Sequence, residues 1–255
     1  ETVTYNYNVG GLLQNMSGSK GGTAYNYVPQ LGYDKFEKRI YMRYGNGTEM
    51  TYAFGPERRR LSNLTAKTAA GRLMMNNAYS YDREHNILNV VNNAPVPPNN
   101  LMGGKSNYQY TYDDLYRLTN ASGNFGGSSH EHRYTQAMSY NSVSSIISKN
   151  QLHERRGYDE PDWTSRNQTS YNYEYSYNAG NKPHAPIHIG AESFTYDANG
   201  NQLGFQHDVS AQNRQMEWDE ENRMKTLSDN GELFRYTYDA SGARVLKSNG
   251  NGQTV

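Results

Sequence analysis

Cysteine is absent from the 255 residues, which excludes disulfides, thiolate metal sites and a cysteine nucleophile. Net charge is absent too. The 25 Lys and Arg balance 25 Asp and Glu, so no basic stripe marks the chain as a binder of nucleic acid or anionic membrane. No apolar run is long enough to span a bilayer as a helix. The first eight residues, Glu1 to Asn8, carry neither the charged nor the apolar region of a signal peptide. Core-forming residues are scarce as well: Leu, Ile, Val and Phe total 37, about 15%. So low a share is a mark of disorder only when net charge is high and aromatics are few. Here Tyr alone numbers 24. The composition fits a protein that buries apolar surface thinly, as a single-layer sheet with one wet face does.

What the chain has instead is repetition. Phe194-Thr-Tyr-Asp-Ala-Asn-Gly-Asn-Gln-Leu203 is followed by Met216-Glu-Trp-Asp-Glu-Glu-Asn-Arg-Met224 and by Tyr236-Thr-Tyr-Asp-Ala-Ser-Gly-Ala-Arg-Val245. The pattern is aromatic or Met, polar, aromatic, Asp, two turn residues, Gly or Asn, polar, aliphatic. Its anchors are Tyr196-Asp197, Trp218-Asp219 and Tyr238-Asp239, spaced by 22 and 20 residues, a period that marks a repeat architecture. Two more copies lie upstream at Tyr81-Asp82 and Tyr112-Asp113. Their spacing of 31 implies a loop insertion. Weaker copies place Asn after the Tyr, at Tyr7-Asn8, Tyr140-Asn141 and Tyr177-Asn178. Tyr33-Asp34 is partial, and Tyr52 sits in a degraded copy.

Each copy reads as strand, turn, strand. In Tyr-Thr-Tyr both rings fall on one face and Thr on the other. Asp ends the strand because its carboxylate can accept nearby backbone N–H groups. Asn-Gly, as in Asn199-Gly200, supplies the positive φ of a tight hairpin turn. Leu203 and Val245 open the return strands. Single hairpins are marginal, so the units must add edge to edge. The excess of Tyr over Phe, 24 to 6, suits a face whose hydroxyls meet water or a neighbour. The repeat-defining residues are therefore Tyr81, Asp82, Tyr112, Asp113, Tyr196, Asp197, Gly200, Trp218, Asp219, Tyr238, Asp239 and Gly242, all in structural roles.

Candidates for chemistry are few. His130-Glu131-His132 could chelate a metal if extended, but it follows Gly126-Gly-Ser-Ser129 and lacks a third ligand, so an exposed loop is expected. His184 and His188 lie in a proline-broken segment that reads as loop or edge strand. Arg58-Arg59-Arg60 reads as a solvated strand or a partner for acidic neighbours. Asp197, Asp219 and Asp239 recur at one turn position, whereas a glycosidase pair would be unique. Asn-x-Ser/Thr at Asn15, Asn46, Asn63, Asn120 and Asn167 is expected by chance in an Asn-rich chain. No catalytic group, cofactor site or metal site is assigned, and an enzyme is not expected. Tyr171-Asn-Tyr-Glu-Tyr-Ser-Tyr177 is the clearest strand. Ser142 to Ser148 could continue one, Arg155 to Trp163 reads as loop, and so does Ala94 to Asn100 with its three prolines.

These copies resemble the YD repeats of the Rhs family. The best matches are Tyr196-Asp197-x-x-Gly200-Asn201, Trp218-Asp219-x-x-Asn222-Arg223 and Tyr238-Asp239-x-x-Gly242-x-Arg244. Tyr110 to Gly123 is similar to a stretch in the C component of bacterial ABC (Tc) toxins. The resemblance is strong over 79–123 and 194–248 and weaker elsewhere. It implies an all-β fold in which YD-repeat hairpins form a continuous, spiralling sheet, part of a hollow shell, over the whole of 1–255. It further implies a secreted bacterial protein whose shell encloses a toxic C-terminal domain. The partners would then be flanking repeats, that domain and other toxin-complex components. More distantly, teneurins use a similar shell for adhesion, so the alternative is an extracellular adhesion or carbohydrate-binding protein, with Tyr158 and Trp163 as stacking rings. The family's Asp-Pro-x-x-Gly-like self-cleavage motif has no match here; Glu160-Pro161-Asp162-Trp163 departs from it. The start reads as mid-strand and the end as a turn entering another strand, so a piece of a longer chain is expected.

Overall fold

The computed structural model describes residues 2–98, 103–127, 129–178 and 182–249. Among these residues every regular element is a strand and none is a helix. The chain forms two compact units, Glu1–Ala137 with Gln151–Ser170, and Met138–Asn150 with Tyr171–Val255.

In the first unit β1 (Thr2–Tyr7), β2 (Leu13–Lys20) and β3 (Thr23–Val28) form a three-stranded antiparallel sheet. A longer antiparallel run follows in chain order. It comprises β4 (Gln30–Tyr33), β5 (Arg39–Arg43), β6 (Glu49–Phe54), β7 (Leu61–Lys67), β8 (Leu73–Tyr81), β9 (Ile87–Asn92), β10 (Ser106–Tyr112) and β11 (Leu118–Gly126), each bonded to the next. β11 pairs with the first residues of β12 (His130–Tyr140). The end of β13 (Ile146–Gly157) pairs with the two-residue β14 (Thr164–Ser165). In the second unit β15 (Tyr171–Tyr177), β16 (Pro186–Ile189), β17 (Glu192–Tyr196), β18 (Gln202–His207), β19 (Asn213–Trp218), β20 (Met224–Asp229), β21 (Glu232–Tyr238) and β22 (Arg244–Asn249) repeat the scheme.

The period-2 pattern decides which face is covered. Tyr79 and Tyr81, Tyr110 and Tyr112, Phe194 and Tyr196, Met216 and Trp218, and Tyr236 and Tyr238 are half-buried. The residues between them (Ser80, Thr111, Thr195, Glu217 and Thr237) are exposed. On these strands the covered face is a row of aromatic rings, with Met216 in one copy. Among the described residues the buried apolar side chains are Val28, Leu31, Ala66, Ala94 and Ala121. Ring-on-ring and ring-on-chain contacts thus replace a two-layer core, which is how a chain so poor in aliphatics orders its backbone.

Several local expectations change. Ser142–Ser145 does not continue a strand: it is a turn, and the strand starts at Ile146, because Asn141 caps the chain there. Arg155, Arg156 and Gly157 are the end of β13 rather than loop, and Arg155 pairs with Thr164 of β14. His130 and His132 lie in β12, not in an exposed loop. Ala94–Pro98 is loop as expected, and Asn99 and Asn100 lie outside the described residues.

Candidate functional site

The repeated turn is built around one carboxylate oxygen. Asp34 Oδ1 accepts the N–H groups of Phe36 and Lys38, Asp82 Oδ1 those of Glu84 and Asn86, Asp113 Oδ1 those of Leu115 and Arg117. Asp219 and Asp239 do the same two and four residues on, and Asp197 accepts from Asn201. At four of these turns the fourth residue after the Asp returns a side-chain bond to the other oxygen. Asn86, Arg117, Asn201 and Arg223 donate to Oδ2 over 2.7–2.9 Å. These bonds hold the five repeat carboxyls below the usual carboxylate range. The Asn86 and Asn201 amides lead at Asp82 and Asp197, the Ser241 hydroxyl at Asp239, and backbone N–H groups of Arg117 and Arg223 at Asp113 and Asp219. Asn8 and Asn141 make the same pair of bonds with an amide oxygen.

The turn is wider than the two-residue hairpin expected at Asn199-Gly200. It runs from Asp197 to Asn201, with a single positive φ at Gly200 (91°) and a register shift between Thr195 and Tyr196. The residue three after the anchor always takes the left-handed conformation. It is Gly242 at 82°, but also Glu37 at 63°, His85 at 74°, Tyr116 at 60° and Asn222 at 59°. A side chain is tolerated there because the Asp bonds over-determine the loop.

In seven copies the second aromatic ties its hairpin to the one before. Tyr81 Oη donates to the Leu61 carbonyl (2.8 Å), Tyr112 to Ile87 (2.9 Å), Tyr196 to Pro186 (2.8 Å) and Tyr238 to Met224 (2.9 Å). Tyr33 reaches Leu13 (2.9 Å) and Tyr177 reaches Ile146 (2.7 Å). Trp218 makes the same bond with Nε1–H, to Gln202 (2.8 Å). The acceptors follow a rule. Ile87 is the cross-strand partner of Tyr81, Gln202 of Tyr196 and Met224 of Trp218; likewise Leu13 of Tyr7, Leu61 of Phe54 and Pro186 of Tyr177. Each ring tip is therefore hung on the strand that faces the preceding ring. Burial against these neighbours raises the phenol pKa of Tyr81, Tyr112, Tyr177 and Tyr196. At these positions the Tyr hydroxyl meets a neighbour, as expected, and that neighbour is a backbone carbonyl.

All twelve repeat-defining residues sit in this lattice of turns and ties. The remaining candidates fall outside it. His132 Nδ1 lies 3.0 Å from His153 Nε2, and the His153 ring also contacts Thr169. His130 contacts Ser129 instead, so the sequence pair is split and a histidine 21 residues away takes its place. His188 pairs with Asp208 at 2.7 Å, which also accepts the Ser193 hydroxyl. Arg59 is paired with Asp34, and Arg58 and Arg60 donate to the Arg83 and Asp82 carbonyls. The basic run is spent on neighbouring turns. Sequence reasoning missed the turns at Tyr44 and Thr68, which close with the same backbone bonds. Gly47 and Gly71, three residues on, were their visible signal.

No family model matches the chain, and no curated protein matches it in sequence. Solved structures do match. A crystal structure of TcdB2-TccC3-TEV aligns with a TM-score of 0.73 at 18% identity, covering 97% of this chain and 12% of that one. The Tc holotoxin pore of Photorhabdus luminescens aligns with a TM-score of 0.66 at 17% identity, covering 99% and 14%. TcdB2-TccC3 without its hypervariable C-terminal region gives 0.66 at 16%, again over 99% and 14%. The chain has the fold that these Tc toxin structures hold over about one seventh of their length or less. That fold is the all-β one which the resemblance to Rhs and Tc repeats implied.

Proposed function

We propose that residues 1–255 are a stretch of wall in a hollow β-shell that encloses a toxic C-terminal polypeptide, in a secreted toxin of the Rhs or Tc type. The observation that carries this reading is the tie from each ring to the strand facing the preceding ring. It indexes each of these seven hairpins to its predecessor, so the array extends with a fixed register and little core. The lattice spends its aromatic and acidic side chains on holding itself, and none of the repeat residues is left for chemistry. A non-catalytic wall needs no more. The fold match to Tc toxin structures supports the same reading. On it, the partners are flanking repeats, the enclosed polypeptide and other components of the toxin complex.

Limited proteolysis of the full-length parent protein, followed by intact-mass analysis, tests this. A C-terminal segment that resists protease while the shell is folded, and is digested once urea opens it, supports the container. A C-terminal segment digested at the same rate in the folded protein refutes it.

A further inference from the structure

Two imidazoles meet in the first unit. His132 of β12 and His153 of β13 face each other with Nδ1 and Nε2 3.0 Å apart. The bonds around them fix which nitrogen carries each hydrogen. The Thr169 hydroxyl donates to the Arg166 carbonyl at 3.3 Å. It therefore accepts at its 2.6 Å contact with His153 Nδ1, which carries the hydrogen. In the neutral ring that leaves Nε2 bare, so His132 Nδ1–H donates to it. The donors run one way, from His132 through His153 and Thr169 to a main-chain carbonyl. The pair also fastens a segment. The His153 N–H donates to Ser170 Oγ (2.9 Å), its carbonyl accepts the Arg166 N–H (2.7 Å), and Gln151 Nε2 donates to the Thr169 carbonyl (2.7 Å). Residues 164–170, which hold β14 and the turn after it, are thus docked on β13 around one imidazole.

The surroundings oppose charge on this pair. Phe125 of β11 lies flat on His132, with ring centroids 4.5 Å apart and planes at 4°, and β11 carries no ionisable side chain. The carboxylates of β12 and β13, Glu131 and Glu154, are bonded to Arg156 and Arg133, so each already balances a guanidinium. Burial lowers the His132 pKa, followed by His153, His130, Arg155 and Arg166, none of them an acid. A first proton enters at His132 Nε2 and leaves a cation on a half-buried ring. A second must go to His153 Nε2. That turns the acceptor into a donor and sets two N–H groups and two charges 3.0 Å apart. We propose that His132 and His153 form an acid-opened latch, which holds residues 164–170 on β13 while both rings are neutral and releases that segment on protonation, with the other strands of the first unit still folded. The open form binds protons more readily, so opening grows as pH falls below about 6.5. The latch goes beyond the wall role and does not depend on it.

The test is amide hydrogen exchange of the whole chain, read by mass spectrometry at about pH 7.5 and about pH 5.5, either side of the imidazole range. Rates are corrected for intrinsic exchange at each pH. Exchange at 151–155 and 166–170 should accelerate by up to about tenfold per pH unit for each proton taken up on opening. β7 and β8, in the same unit, should keep their protection. His132→Gln and His153→Gln should each reduce the acid response, and the two together should abolish it, with the thermal midpoint at the higher pH confirming that each variant is folded. His130→Gln should respond as wild type does. Unchanged exchange at 166–170 in the acidified wild type would overturn the proposal. So would loss of protection to the same extent in β7 and β8, or an acid response that the double variant retains.

Discussion

Replacing Tyr112 by Phe removes one oxygen and leaves the ring in place. In the native protein that oxygen donates to the Ile87 carbonyl at 2.9 Å, in a half-buried position. A neutral hydrogen bond of this kind contributes about 1 kcal/mol net, and the stranded carbonyl adds to the loss where water cannot reach it. Partial exposure lets water return, so the expected loss is ~1 kcal/mol. Urea unfolding should show a lower midpoint with an unchanged slope. Because the tie joins neighbouring hairpins, amide exchange should speed up around 81–87 and 112–118 and stay as in wild type around 218–224. Tyr116→Phe is the control. Tyr116 is 58% exposed, and its hydroxyl has no bonding partner among the described residues, so no change is expected. A Tyr112→Phe protein as stable as wild type would refute the idea that the hydroxyl, rather than the ring, indexes the hairpins.

Phe54 stands where the other copies have a tyrosine or Trp218, opposite Leu61. Phe54→Tyr should add a tie to the carbonyl of Arg39, the partner of Tyr33, and raise stability by ~0.5–1 kcal/mol in the same urea assay. Asp219→Asn should lose less stability than Asp219→Ala, because Asn8 and Asn141 already cap identical turns with an amide oxygen; equal losses in thermal unfolding would count against the shared-acceptor geometry. Acid should unfold the lattice. Asp82, Asp113, Asp197, Asp219 and Asp239 have folded pKa values below their unfolded ones, so their stabilisation is complete above about pH 4 and is lost as pH falls through the lower folded values. A pH titration of stability that is flat below pH 4 would contradict this. His132 works at higher pH. Burial, then the neighbouring His153, lowers its pKa; the unfolded chain therefore binds the proton first, and stability should fall as pH drops below about 6.5. His132→Gln should flatten that part of the profile.

The repeat, its strand–turn–strand form and the face on which the rings lie were all legible, because period-2 alternation and a recurrent Asp survive in a single sequence. Tyr171–Tyr177 is a strand for the same reason. The target of the ring tips was not legible. Ile87 and Gln202 act through their carbonyls, and a backbone acceptor leaves no trace in residue type. Tyr112 and Ile87 are also 25 residues apart, across a loop insertion whose length the hairpin period does not set. The turns at Tyr44 and Thr68 lack the Asp that announced the others; the Asn46 amide oxygen, which accepts the Thr48 N–H, supports the first, and a threonine hydroxyl the second. His153 entered no motif, and only the pairing of neighbouring strands brings it to His132. The packing of Trp163 is similar: the ring was visible as a loop residue, but the guanidiniums of Arg133 and Arg156 that lie over it come from β12 and β13.

The container reading can be tested by thiol access in the full-length parent. This segment contributes no cysteine of its own, so a single cysteine can be placed in the polypeptide that follows the repeats, with any other thiols of the parent replaced. A bulky maleimide is then added before and after unfolding in urea. If the wall encloses that polypeptide, the cysteine stays unmodified in the folded protein and reacts fully once the lattice opens. Immediate modification of the folded protein would contradict the claim that these repeats shut a cargo away from solvent.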